Sequence, residues 1–129
     1  MTAKEEEKRL LKRSSDFLAT ARYQVTEGFY DLAIFSLEQA LELFLKAKVL
    51  EEGVDYPRTH SVRSLLEILS QLRPDSEKSA VKSILERYLM ELGVLEDAYI
   101  SSRYVVREFT KREAEKLTLV VKEIMKNVV

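Results

Sequence analysis

The sequence predicts an all-α fold, an up-and-down four/five-helix bundle with three long and two shorter helices. Three observations carry that prediction. Apolar residues recur in alternating steps of three and four along most of the chain, the period of a helix face rather than a strand. Only three Gly and two Pro occur in 129 residues, too few to punctuate a many-stranded sheet. Charged residues make up 33% of the chain beside 46% hydrophobic, as expected for helices with solvated polar faces around a core. A chain of this length fits a single domain, 1–129, and buries roughly 65–70% of the surface its unfolded form exposes.

The first helix is expected from about Lys4 to Thr26. Leu10, Ser14, Phe17, Ala21 and Val25 keep one face, and Leu11 and Leu18 widen it, until Gly28 breaks the pattern. The second, from about Phe29 to Glu52, is apolar nearly all round. Tyr30, Ala33, Ile34, Leu37, Leu41, Phe44 and Leu45 share one face, while Leu32, Phe35, Leu43, Val49 and Leu50 occupy others. Such a helix has to be covered on more than one side, either as the centre of the bundle or as part of a dimer interface. Its polar residues form a narrow strip of Asp31, Glu38, Gln39, Glu42 and Lys46. Glu38, Glu42 and Lys46 follow one another at four-residue spacing and so lie on one line.

Gly53 suits the C-terminal cap of the second helix. A loop over residues 54–60 leads to a third helix that Thr59 or Ser61 can cap, with Val62, Leu65, Leu66, Leu69 and Leu72 inward. Arg73-Pro74-Asp75 ends it, and Asp75 or Ser76 caps the next. Val81, Leu85, Tyr88, Leu92, Leu95 and Tyr99 then hold one phase through Gly93. That continuity predicts one long helix from about Ser76 to Ile100, with Gly93 allowing a close helix crossing or a bend. Residues 101–109 read as irregular. Thr110-Lys111-Arg112-Glu113 has the spacing of a capping box, and opens a last helix with Leu117, Val120, Val121, Ile124 and Val128 inward.

Net charge is −1, so no global positive field draws nucleic acid, and any such contact has to be a local patch. The nearest to one is Lys111-Arg112 with Arg103 and Arg107, diluted by Glu108, Glu113 and Glu115. With no Cys there is no disulfide, thiolate metal site or Cys nucleophile. The single His and scattered carboxylates lack metal-ligand spacing, so neither a metal nor another cofactor is expected. There is no apolar run near 18 residues, and the N-terminal stretch carries both charge signs without a following apolar core. A cytoplasmic protein with no membrane contact is the expectation.

His60 is the residue whose imidazole suits general acid or base work near neutrality. The plainer reading is that it orders the loop into the third helix. The guanidinium groups of Arg58 and Arg103 suit phosphate or carboxylate. Against this, Arg103 has a structural role available in pairing with Asp97 or with the acids of the second helix. Glu38 and Glu42, one turn apart, would raise one another's pKa, although Glu–Lys pairs at this spacing are ordinary on solvated helix faces. Tyr104 and Tyr99 offer rings on which a base could stack, but Tyr99 also continues the buried stripe of its helix.

Three stretches together carry a resemblance. They are Tyr30-Asp31-Leu32-Ala33 running into Glu38-Gln39-Ala40-Leu41-Glu42-Leu43-Phe44-Leu45-Lys46-Ala47, then Pro57-Arg58-Thr59-His60-Ser61-Val62, then Asp97-Ala98-Tyr99-Ile100-Ser101-Ser102-Arg103-Tyr104. In this order and at these separations, from about Phe17 to Met125, the chain resembles a prokaryotic HEPN domain. The resemblance implies a helical bundle that dimerises, pairs with a small nucleotidyltransferase in toxin–antitoxin-like systems, and handles nucleotides or RNA. Some relatives are metal-independent RNases, whose motif is an Arg, four to six intervening residues, and then a His. Here Arg58 stands only two positions before His60, and no His follows Arg103, so that catalytic assignment does not transfer. The reading is therefore a nucleotide- or phosphate-binding interaction module whose site draws on Glu38, Lys46, Arg58, His60, Asp97, Arg103 and Tyr104. Two alternatives stand beside it. One is a metal-independent RNase using His60, Arg58 and Arg103, and the other is a structural subunit with no ligand.

Overall fold

The computed structural model describes the backbone of residues 2–104 and 107–129 and the side chains of residues 2–99 and 107–129. Among them are six helices and no strand: α1 (Ala3–Thr26), α2 (Tyr30–Glu51), α3 (Val62–Leu72), α4 (Asp75–Arg87), α5 (Leu89–Tyr104) and α6 (Lys111–Asn127). The first two make an antiparallel hairpin whose turn Gly28 permits, at φ 81. The Gly28 N–H donates to Val25 O at 3.1 Å and the Phe29 N–H to Gln24 O at 2.8 Å, so these two carbonyls of the last turn are satisfied. Ser14 Oγ donates to the Ala40 carbonyl at 2.6 Å and Ser36 Oγ to Gln24 Oε1 at 2.7 Å, which fixes the register between the two helices. Gly53, at φ 87, closes α2 in the same left-handed conformation.

The centre of the bundle is α2. Of its 22 residues, 14 are buried, because α1, α3, α5 and α6 all pack against it. One chain therefore covers the all-round apolar helix. Of the two placements its pattern left open, it takes the centre of the bundle, and of its large apolar side chains only Leu32, 55% exposed at its start, lies largely outside. No helix among the described residues is long and apolar enough to cross a membrane.

Ser61 caps α3, its side chain accepting from the Ser64 N–H at 3.1 Å. Pro74 occupies the cap position of α4 without a side-chain hydrogen bond, so Asp75 sits inside the first turn rather than capping it. The single long helix expected from Ser76 to Ile100 is two helices, broken at Tyr88 (φ −112, ψ 24) and not at Gly93. The apolar phase runs on through the break, with Val81 and Ile84 buried before it and Leu92, Leu95 and Ala98 after it. The halves follow different neighbours: α4 lies mainly on α3, and α5 on α2 and α3. Periodicity fixes which face is apolar but not whether the axis stays straight. The capping box forms as expected. Glu113 N–H donates to Thr110 Oγ1 at 3.1 Å and Thr110 N–H to Glu113 Oε1 at 2.9 Å, and the five expected residues of α6 face inward.

Candidate functional site

Three of the polar residues on α2 point into the bundle. Glu38 is 0% exposed, Glu42 3% and Lys46 8%. Helical spacing stacks them on one line, and coverage of α2 from several sides removes that line from water. Charges so placed need partners. Lys46 Nζ reaches Glu42 Oε2 at 3.1 Å, and the other Glu42 oxygen, Oε1, meets His60 Nδ1 at 3.0 Å. Lys46 also sits 5.4 Å from the centroid of the Tyr56 ring, whose hydroxyl donates to Glu6 Oε1 at 2.6 Å. That hydrogen bond, followed by burial, pushes the Tyr56 phenol pKa up.

Glu38 Oε2 accepts from Gln39 Nε2 at 2.7 Å, whereas its buried Oε1 has no donor. Burial first, then the negative charge of Glu42 and a hydrogen bond with it, push the Glu38 pKa from 4.5 up to about 9. Burial and the neighbouring Glu42 thus favour the protonated form of Glu38, beside the ion pair of Glu42 with Lys46.

The loop before α3 brings His60 over this buried pair, its side chain 55% exposed. A carboxylate only accepts, so the proton on the neutral ring belongs on Nδ1, toward Glu42. Nε2 is then an acceptor, and the Tyr99 hydroxyl of α5 lies 3.0 Å from it. The two rings also stack, with centroids 4.1 Å apart at 19°, and Phe35 extends the aromatic row at 6.2 Å from Tyr99. A buried carboxylate thus orients an imidazole whose second nitrogen faces the surface. This is the arrangement by which a His is held ready to bind or move a proton.

Glu96, one turn before Tyr99, holds the loop in place. Its Oε1 accepts from Ser61 Oγ at 2.7 Å and from the Arg63 N–H at 3.0 Å, and its Oε2 from Arg63 Nη2 at 2.7 Å. Burial raises its pKa, but the hydrogen bonds from Arg63 and Ser61 outweigh it and hold the carboxyl below its ordinary range. One side chain on α5 thereby fixes the start of α3 next to His60.

Of the residues expected in the site, the structure brings Glu38, Lys46 and His60 together. Arg58 is exposed on the same loop, two positions before His60, and Asp97 is exposed and adds a negative charge near Arg63. The side chains of Arg103 and Tyr104 lie outside the described residues. Glu42, Tyr99, Glu96 and Arg63 were not in the expected set. Glu42 was marked by its four-residue spacing to Glu38 and Lys46, and Tyr99 by a ring on which a base could stack and by its place on a buried stripe. Nothing in the sequence separates Glu96 from its neighbour Asp97, although a helix turns one inward and the other out. Arg107 pairs with Glu113 at 3.0 Å, which weakens the basic patch near α6. Among the described residues no group of three or more acidic or His side chains is arranged to hold a metal ion.

A family model described as HEPN domain matches residues 7–129. Two solved structures are similar over nearly their whole length. The first, TT1696 from Thermus thermophilus, shares 26% identity, with 95% of this chain and 94% of that one covered and a TM-score of 0.71. The second, ST0689, titled an archaeal HEPN homologue, shares 24% identity over 95% and 93% of the two chains at a TM-score of 0.64. No curated protein matches the chain.

Proposed function

The chain belongs to the HEPN domain family, and from that premise we propose that it is a homodimeric interaction module with a site for a nucleotide or other phosphate-bearing group. The observation that supports this reading is the meeting of His60 with buried Glu42 and with Tyr99 at a surface position. The exposed His60 face, stacked on Tyr99, offers a platform for a base. Arg58, on the same loop, offers a guanidinium fork for phosphate. A small nucleotidyltransferase as partner, in a cytoplasmic toxin–antitoxin-like pair, belongs to the same proposal and follows from the family resemblance. Titration of nucleoside phosphates and inorganic phosphate, read by calorimetry and melting temperature, tests the site. Binding weakened about tenfold by Arg58→Ala and by His60→Ala is the expected result, roughly the loss of one charge-assisted contact. Absence of any nucleotide-dependent rise in melting temperature, or undiminished binding by His60→Ala, overturns it.

The orientation of His60 by Glu42 favours one second reading, a metal-independent RNase. His60 would take and return the proton, while Arg58 or Arg103 met phosphate charge. It requires RNA cleavage in EDTA that leaves a 2′,3′-cyclic phosphate and disappears in His60→Ala.

A further inference from the structure

Glu38 is a buried carboxyl that neither binding nor proton transfer at the surface explains. It is fully enclosed and, among the described residues, leaves one oxygen without a donor. An enclosed carboxylate without a cation of its own costs far more than a neutral side chain of the same shape. Lys46, two turns further along the same line, is paired with Glu42. Among the described residues, the charged and polar groups gathered in this cluster are few. On α2 itself they are Glu42, Lys46 and Gln39. The loop before α3 brings His60, and α5 brings Tyr99.

We propose that Glu38 is a positioning residue for the His60 site, acting through Glu42 as the donor that completes the carboxylate's hydrogen-bond shell. In this arrangement Glu42 accepts from three sides: the Glu38 hydroxyl, Lys46 Nζ and His60 Nδ1. With its other lone pairs used, the carboxylate has one aim toward His60 and one strength as its partner. The Nδ1–H tautomer, with Nε2 left to accept from Tyr99, follows. Without the Glu38 proton, Glu42 would be a stronger base and would hold an imidazolium more tightly. The inference rests on the His60 site described above, but not on the identity of any ligand.

Two substitutions separate a donor from a charge. Gln at position 38 keeps a hydrogen-bond donor and the shape, and removes any charge. Met keeps only the volume. NMR of the imidazole in the ligand-free protein reads the titration midpoint and tautomer of His60. Glu38→Gln is expected to reproduce both wild-type values, while Glu38→Met moves the midpoint upward by about half a pH unit or more. A Glu38→Gln midpoint that falls shows an anion at position 38 in the wild type, and overturns the proposal. Equal midpoints in wild type and Glu38→Met overturn it as well. The carboxyl carbon shift of Glu38 in isotopically labelled wild-type protein checks the same point without substitution, should Glu38→Met fail to fold. A protonated signal at neutral pH is expected, and an ionised one overturns the proposal. These readouts need no nucleotide, so a failure to bind nucleotide is separable from a failure here.

Discussion

Glu38 shows what a single residue contributes and what its spacing could reveal. The line of Glu38, Glu42 and Lys46 was legible from the four-residue steps, and so was the tendency of adjacent carboxyls to raise one another's pKa. The depth of the line was not, because it depends on which helices cover α2. With a folded pKa near 9 against 4.5 for the free side chain, the folded state holds a proton between those values that the unfolded chain has released. Stability from this group is therefore fully present below about pH 4.5 and is lost as pH rises toward 9, with a limiting slope of roughly 1.4 kcal/mol per pH unit. Glu38→Gln removes that dependence. Denaturant unfolding of both proteins from pH 5 to pH 9 should show the variant gaining steadily on the wild type. A constant difference would mean that Glu38 is ionised in the fold. His60 was legible as a candidate from its chemistry alone. Its partners were not, since Glu42 and Tyr99 are separated from it by 18 and 39 positions.

At the scale of elements, caps and turns were the most readable features. Gly28, Gly53, Ser61 and the Thr110–Glu113 box all act where short-range chemistry places them, because each depends on neighbours within a few residues. The α4–α5 break was unreadable for the opposite reason. Tyr88 is an acceptable helix residue, and the bend arises because α3 and α2 draw the two halves in different directions. Gly93, the position that invited a bend, lies within α5. A Cβ there would meet only the tip of Arg63, at 3.6 Å from Nη1, an ordinary contact with a movable group. Gly93 therefore carries the entropic cost of glycine in a helix with no close backbone approach to require it. Gly93→Ala should raise stability by about 0.5–1 kcal/mol, measured by denaturant midpoint at unchanged m-value. A loss of stability instead would show that the Arg63–Glu96 clamp has no room to adjust.

For the whole molecule, the position of α2 alters the case for dimerisation. An all-round apolar helix suits either the centre of a bundle or a dimer interface, and α1, α3, α5 and α6 of the same chain already enclose it. Any interface has to use what the bundle leaves outside. The start of α2 qualifies: Phe29 and Leu32 are 53% and 55% exposed and flank a cavity of about 400 Å³ that Tyr30 and Phe109 also line. The Phe109 N–H donates to Asp31 Oδ1 at 2.8 Å, so the base of this patch is tied rigidly to α2. Exposed apolar side chains around a fixed hollow are a recognised mark of association surfaces. Light scattering of the wild type at micromolar concentration should give twice the chain mass, and Leu32→Lys should return the mass of one chain. Leu32 contributes little to the core, so the variant's unfolding at matched low concentration should stay within about 0.5 kcal/mol of wild type. A dimer that survives Leu32→Lys would move the interface elsewhere on the bundle. A wild-type monomer would leave the proposed ligand site to function within a single chain, as its described members, all drawn from one copy, already allow.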